Sequence, residues 1–175
     1  MLPELSDLWE KIETRYQKMF DLIDGLMPDQ LLFKPEPDRW SILQVLQHVV
    51  SGAQGMRRSE AELRDNPLRE ILKPGAMVKV VMDVLVNDVP VDVPDPSTEP
   101  DGKVTVEELC AIWEKERRAV AVLLETVTAE NQEQVMFSHA AAGPLTALKM
   151  LEIAEAHLET HRRQIDRIRA ELPAK

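Results

Sequence analysis

A chain of 175 residues and 19.9 kDa is long enough to enclose one hydrophobic core and too short to need two, so a single domain over residues 1–175 is expected. Its 21 basic and 31 acidic residues leave a net charge of −10, which excludes nucleic-acid binding driven by phosphate contacts and disfavours anionic membrane surfaces. Aromatics make up only 4% of the chain, so the core must rest on Leu, Val, Ile, Met and Ala, a composition that helix packing accepts readily.

The first helical period runs from about Ser6 to Asp24, with Leu8, Trp9, Ile12, Tyr16, Met19, Phe20 and Ile23 on one face and Gly25 and Pro28 beyond its end. Residues 29–40, bracketed by Pro28, Pro35 and Pro37, read as a turn or brief helix. A second long helix opens at Ser41 with Gln44 three residues on, the spacing of a capping box, and runs to about Asp65 before Asn66-Pro67. Residues 68–87 are β-branched enough for a strand, but a lone strand has no partner, so a short helix is expected there. Residues 88–102 hold Pro90, Pro94, Pro96 and Pro100 and read as an irregular crossover.

The third long helix opens with the pair Thr105 and Glu108, again at capping-box spacing, and carries Leu109, Ile112, Trp113, Val120, Leu123, Leu124 and Val127. The fourth is expected to start at Gly143-Pro144, proline suiting the first helical position, and to run to about Leu172. Two long helices, a long crossover and two more make an all-α bundle. Cys110 is the only cysteine, which excludes an intramolecular disulfide and a Cys-rich zinc site, and its apolar row assigns it a buried packing role. The acidic start, Met1 to Asp7, is unlike an export signal, and no apolar run approaches the roughly 20 residues that span a bilayer, so a cytoplasmic location is expected.

Of the four histidines, His48, His157 and His161 fall inside expected helices and His139 in a loop. His157 and His161 are four apart and share a face with Thr146, Met150, Gln164 and Ile168, while Glu155, Glu159 and Asp166 point the other way. His48 stands in line with Gln44, Gly52 and Gly55 on the second long helix. Three inward imidazoles are a donor set for a divalent metal, with positions left open for water or substrate. The competing reading is a pair of half-buried histidines hydrogen-bonded at a helix interface. A zincin is excluded, because Leu158 stands where H-E-x-x-H needs its glutamate and Thr160 breaks the inverted motif.

The stretch Arg39-Trp40-Ser41 through Gln47-His48 resembles the first metal motif of DinB/YfiT-like proteins, and His157 through Gln164-Ile165 resembles their C-terminal H-x-x-x-H half. With the tryptophan helix around Trp113 between them, the resemblance covers nearly the whole chain. It implies an up-down-down-up four-helix bundle with a long crossover between helices two and three, a metal bound by His48, His157 and His161, and a homodimer, its apolar surface coming from helix one or the crossover. Relatives of this type include thiol S-transferases using bacillithiol and isomerases using mycothiol, and many members have no known activity. The expected function is metal-dependent transfer of a small-molecule thiol to an electrophilic substrate. The alternatives are a metal-dependent hydrolase and a non-catalytic metal-binding or interaction protein. Zinc or nickel leads the candidate metals, with iron or manganese behind. Trp40, Gln44, His139 and Gln164 are candidate pocket residues, although Gln44 already has a capping role and His139 lacks the proline that often follows it in the family.

Overall fold

The structure, a computed structural model, describes residues 1–65, 77–89 and 99–173. It is mostly helical. The described residues form four long helices, α1 (Pro3–Asp21), α3 (Ile42–Asp65), α5 (Val106–Glu125) and α6 (Ala147–Ala170), with short α2 (Pro28–Leu32) and α4 (Val78–Val86) and a hairpin of β1 (Phe137–His139) and β2 (Gly143–Leu145). No helix is long and apolar enough to cross a membrane among the described residues.

Helix α1 begins three residues earlier than its apolar period suggests, because Pro3 needs no amide partner in the first turn. It ends at Asp21 and the chain turns away at Gly25, whose φ of +73° glycine adopts without steric cost. Leu5, Trp9, Ile12, Tyr16 and Met19 form its buried stripe. Tyr16 stacks on Trp113 of α5, and its hydroxyl donates to Val49 O of α3 at 3.1 Å, so a buried phenol is satisfied where three helices meet.

Both capping boxes form. Ser41 N–H donates to Gln44 Oε1 at 3.1 Å and Gln44 N–H to Ser41 Oγ at 3.3 Å. Thr105 N–H donates to Glu108 Oε2 at 2.8 Å and Glu108 N–H to Thr105 Oγ1 at 3.1 Å. The expected short helix in the crossover is α4, while residues 66–76 and 90–98 of the expected connections lie outside the described ones.

The start of the last helix differs from the expectation. Gly143 and Pro144 lie in β2, paired antiparallel with His139 and Ser138, and the helix begins at Ala147. Gly143 has a φ of +73°, incompatible with a helical turn, and Thr146 takes the N-cap, its hydroxyl accepting from Lys149 N–H at 3.3 Å. Proline pre-organises a helix start but equally ends a strand whose amide goes unused.

Contacts fix which helix ends meet. Leu2 and Leu5 share a hollow with Ala147 and Leu148, and Arg15, farther along α1, pairs with Glu155 and Glu159, farther along α6. Gln44 and Gln47 near the start of α3 bind Pro100 O and Gly102 N–H just before α5, and Arg57 meets Glu116 halfway along it. Arg39, before α3, pairs with Glu171 after α6.

Candidate metal centre

His48 lies in the second turn of α3, anchored by the capping box and by buried Val45, Leu46 and Val49. His157 and His161 project from adjacent turns of α6, whose neighbours Leu158 and Ile165 are core residues. The fold closes the distance that sequence left open. His48 Nε2 stands 3.1 Å from His157 Nε2, and His161 Nε2 stands 3.0 Å from the same atom. All three rings offer a ligand nitrogen within 4.8 Å of the others. All three histidines are half-buried, so the cluster remains partly reachable by water.

Their protonation follows from that position. Burial pulls His48 down to about 3, with the charge of His161 adding to the effect. Burial also lowers His157 strongly, reinforced by His161, His48 and His139. His161 is lowered by burial despite opposing contributions from Gln164 and Asp88. The rings are therefore neutral at neutral pH, the form that ligates metal.

The proton count then tests whether a cation fits. His161 Nδ1–H donates to Gln164 Oε1 at 2.8 Å, which leaves its Nε2 as a lone pair. A proton on His157 Nε2 would have to serve both the His161 and His48 nitrogens, and a proton on His48 Nε2 instead would leave the lone pairs of His157 and His161 facing each other. Imidazoles on one ion at about 2.0–2.1 Å bring their nitrogens about 3–3.4 Å apart, close to the separations here. The donor set fits a divalent cation better than it fits itself.

Around the rings, Trp40 lies 4.9 Å from His48 and 6.3 Å from His161 between centroids, forming an apolar wall. Gln164 orients His161 from behind, as partners of metal-binding histidines do. Gln44 does not reach the centre with its amide: the oxygen caps α3 and Nε2–H donates to Pro100 O at 2.8 Å. His139 is not part of the cluster. It sits on β1, where its Nδ1 accepts from the Ala141 and Ala142 amides, near enough for its charge to be felt at His157. The opposite face of α6 is taken up as expected, with Glu155 and Glu159 on Arg15, and Glu159 and Asp166 on Arg162.

Two further neighbours of the centre are brought there by the fold. Gly52, one turn beyond His48 and exposed, leaves His157 uncovered: a Cβ there would lie 3.9 Å from His157 Cε1. Helix α4 docks beside His161, where Thr160 Oγ1 donates to Leu85 O at 2.8 Å and Arg167 pairs with Asp88 at 2.5 Å. The i,i+4 line from His48 to Gly52 was visible; nothing in the sequence linked Asp88 to α6.

The three histidines all lie within residues 11–165, which the DinB superfamily model matches. The chain belongs to the DinB superfamily. No curated protein matches this DinB-family chain, and no solved structure does.

Proposed function

We propose that this DinB-family protein binds one divalent metal ion through His48, His157 and His161 and uses it to transfer a small-molecule thiol to an electrophilic substrate. The observation that carries the metal assignment is the convergence of three neutral Nε2 atoms, 3.0 and 3.1 Å apart, whose lone pairs one proton cannot satisfy. The helix pairings support an up-down-down-up bundle forming one domain, with α3 and α6 supplying the ligands from antiparallel neighbours.

When bound, a divalent cation with three neutral ligands keeps its full charge and favours the anionic form of a thiol or water ligand. The protein's own groups do the rest. Gln164 holds the His161 ring by its Nδ1 proton, and Trp40 excludes water from one side of the His48 and His161 rings. Thiol chemistry is preferred to hydrolysis because no carboxylate joins the three-histidine group among the described residues. Asp88, whose charge reaches His161, is occupied by Arg167.

Elemental analysis of protein purified without chelator tests the site, with about one ion per chain expected and tight binding lost in His157→Ala and in His161→Ala. Unchanged metal content in both variants would overturn it. A thiol-conjugation screen of the loaded protein tests the chemistry. His48→Ala, reloaded to full occupancy, should lose the acceleration, while Glu159→Ala should keep it. Wild-type rates in the reloaded His48→Ala protein would leave a metal-binding protein without this activity.

A further inference from the structure

Where α4 meets α6, hydrogen-bond donors outnumber acceptors. Leu85 O, near the end of α4, has two lone pairs but three donors: Asp88 N–H at 3.3 Å, Thr160 Oγ1 at 2.8 Å and Arg163 Nη2 at 3.2 Å. Arg163 Nε, in the same guanidinium, is buried and has no hydrogen-bond partner. It is the only buried side-chain nitrogen or oxygen in that state among the described residues. No described carboxylate forms an ion pair with Arg163 either. Asp88 is engaged by Arg167, and Glu159 by Arg15 and Arg162.

Nε and Nη2 form one edge of a guanidinium, two parallel donors spaced for the two oxygens of a carboxylate. A single backbone oxygen, already shared with Thr160 and Asp88, reaches only Nη2. A buried N–H without an acceptor is costly, so the junction favours any arrangement that supplies one. The helix end that occupies this edge is held by little else. Val80 and Val86 of α4 are 52% and 60% exposed, and Val78 alone in that helix is fully buried, so the polar junction carries much of the docking. Asp88, just past the end of α4, has a φ of +53°, a left-handed conformation costly for a residue with a Cβ.

We propose that the Nε and Nη2 edge of Arg163 is a binding site for the carboxylate group of a small molecule, and that Leu85 O occupies it until such a ligand displaces the end of α4. This site is distinct from the three-histidine centre and does not depend on it. Arg163 stands about 120° around α6 from His157, at 100° per residue. The two meet only through the chain, Thr160 of the junction being the neighbour of His161.

Amide hydrogen exchange of the full chain at neutral pH tests this, comparing sodium acetate with sodium chloride at equal ionic strength. In wild type, acetate should speed exchange over residues 81–86 by about threefold, as expected once the ligand exceeds its dissociation constant about twofold, and leave α1 and α5 unchanged. Arg163→Met keeps the apolar stem and removes the unpaired donor. In chloride its α4 should exchange about tenfold more slowly than wild type, and acetate should have no effect on it. Arg163→Lys keeps the charge without the edge and should lose the acetate response too. Exchange in Arg163→Met as fast as wild type or faster would make the arginine a fastener of α4 and overturn the inference. An equal acetate response in wild type and Arg163→Lys would also overturn it, by tracing the effect to charge alone. So would a wild-type α4 that exchanges alike in the two salts.

Discussion

The histidines of the cluster are costly residues to fold around when no ion is present. Each has its folded pKa pushed below the ordinary value near 6.5, His48 to about 3, so between those limits the unfolded chain binds protons that the native state refuses. The stability associated with the neutral rings is present above about pH 6.5 and is lost as pH falls through the folded values. Metal-free protein should therefore melt at steadily lower temperature below about pH 6.5. In His48→Gln the dependence of unfolding free energy on pH should flatten by up to about 1.4 kcal/mol per pH unit, the contribution of one proton. Urea titrations across pH 4–7 measure both slopes; identical slopes would mean that His48 is not held neutral. At the same scale, Gln164 matters through its oxygen. Gln164→Leu should leave the helix intact but weaken metal affinity by about 10- to 100-fold, because His161 loses the partner that fixes its tautomer. Competition against a coloured chelator reads this directly.

Among the elements, α3 carries both a ligand and an opening. Gly52→Ala should raise stability by up to about 1 kcal/mol, since helix propensity improves and a Cβ would touch only His157 Cε1 at an ordinary 3.9 Å. Metal affinity should stay unchanged, and a drop in thermal stability would mean that the space beside His157 is tighter than the backbone shows. The elements also explain what could be read in advance. Ser41 with Gln44 and Thr105 with Glu108 announced two helix starts correctly because a capping box is local chemistry, satisfied within four residues. The pair His157 and His161 was legible for the same reason, being one helical turn apart. Pro144 misled because proline is as compatible with a strand as with a first helical turn, and only the positive φ of Gly143 and the pairing with Ser138 decide. The place of His48 beside them and the docking of α4 through Leu85 and Asp88 depend on contacts between residues far apart in sequence, which periodicity does not encode.

For the whole molecule, the core is distributed so that the centre is supported without being structurally required. Buried side chains run from Leu5 to Ile168 across α1, α3, α5 and α6, each large aliphatic contributing about 1.5–3 kcal/mol on burial. Chelated protein should accordingly keep most of its helical circular dichroism, unlike a small domain built around its ion. Loss of most of that signal would make the metal a structural staple. The three tryptophans divide along the same line. Trp9 and Trp113 lie in the aromatic cluster between α1 and α5, while Trp40 alone stands against the rings of His48 and His161. The protein thus carries its own optical probe of occupancy. An ion with a part-filled d shell, such as nickel, should quench the Trp40 share of the emission, and closed-shell zinc should not. Trp40→Phe should abolish the difference and leave the steady light of the other two indoles, turning the identity of the bound ion into something a fluorimeter can distinguish.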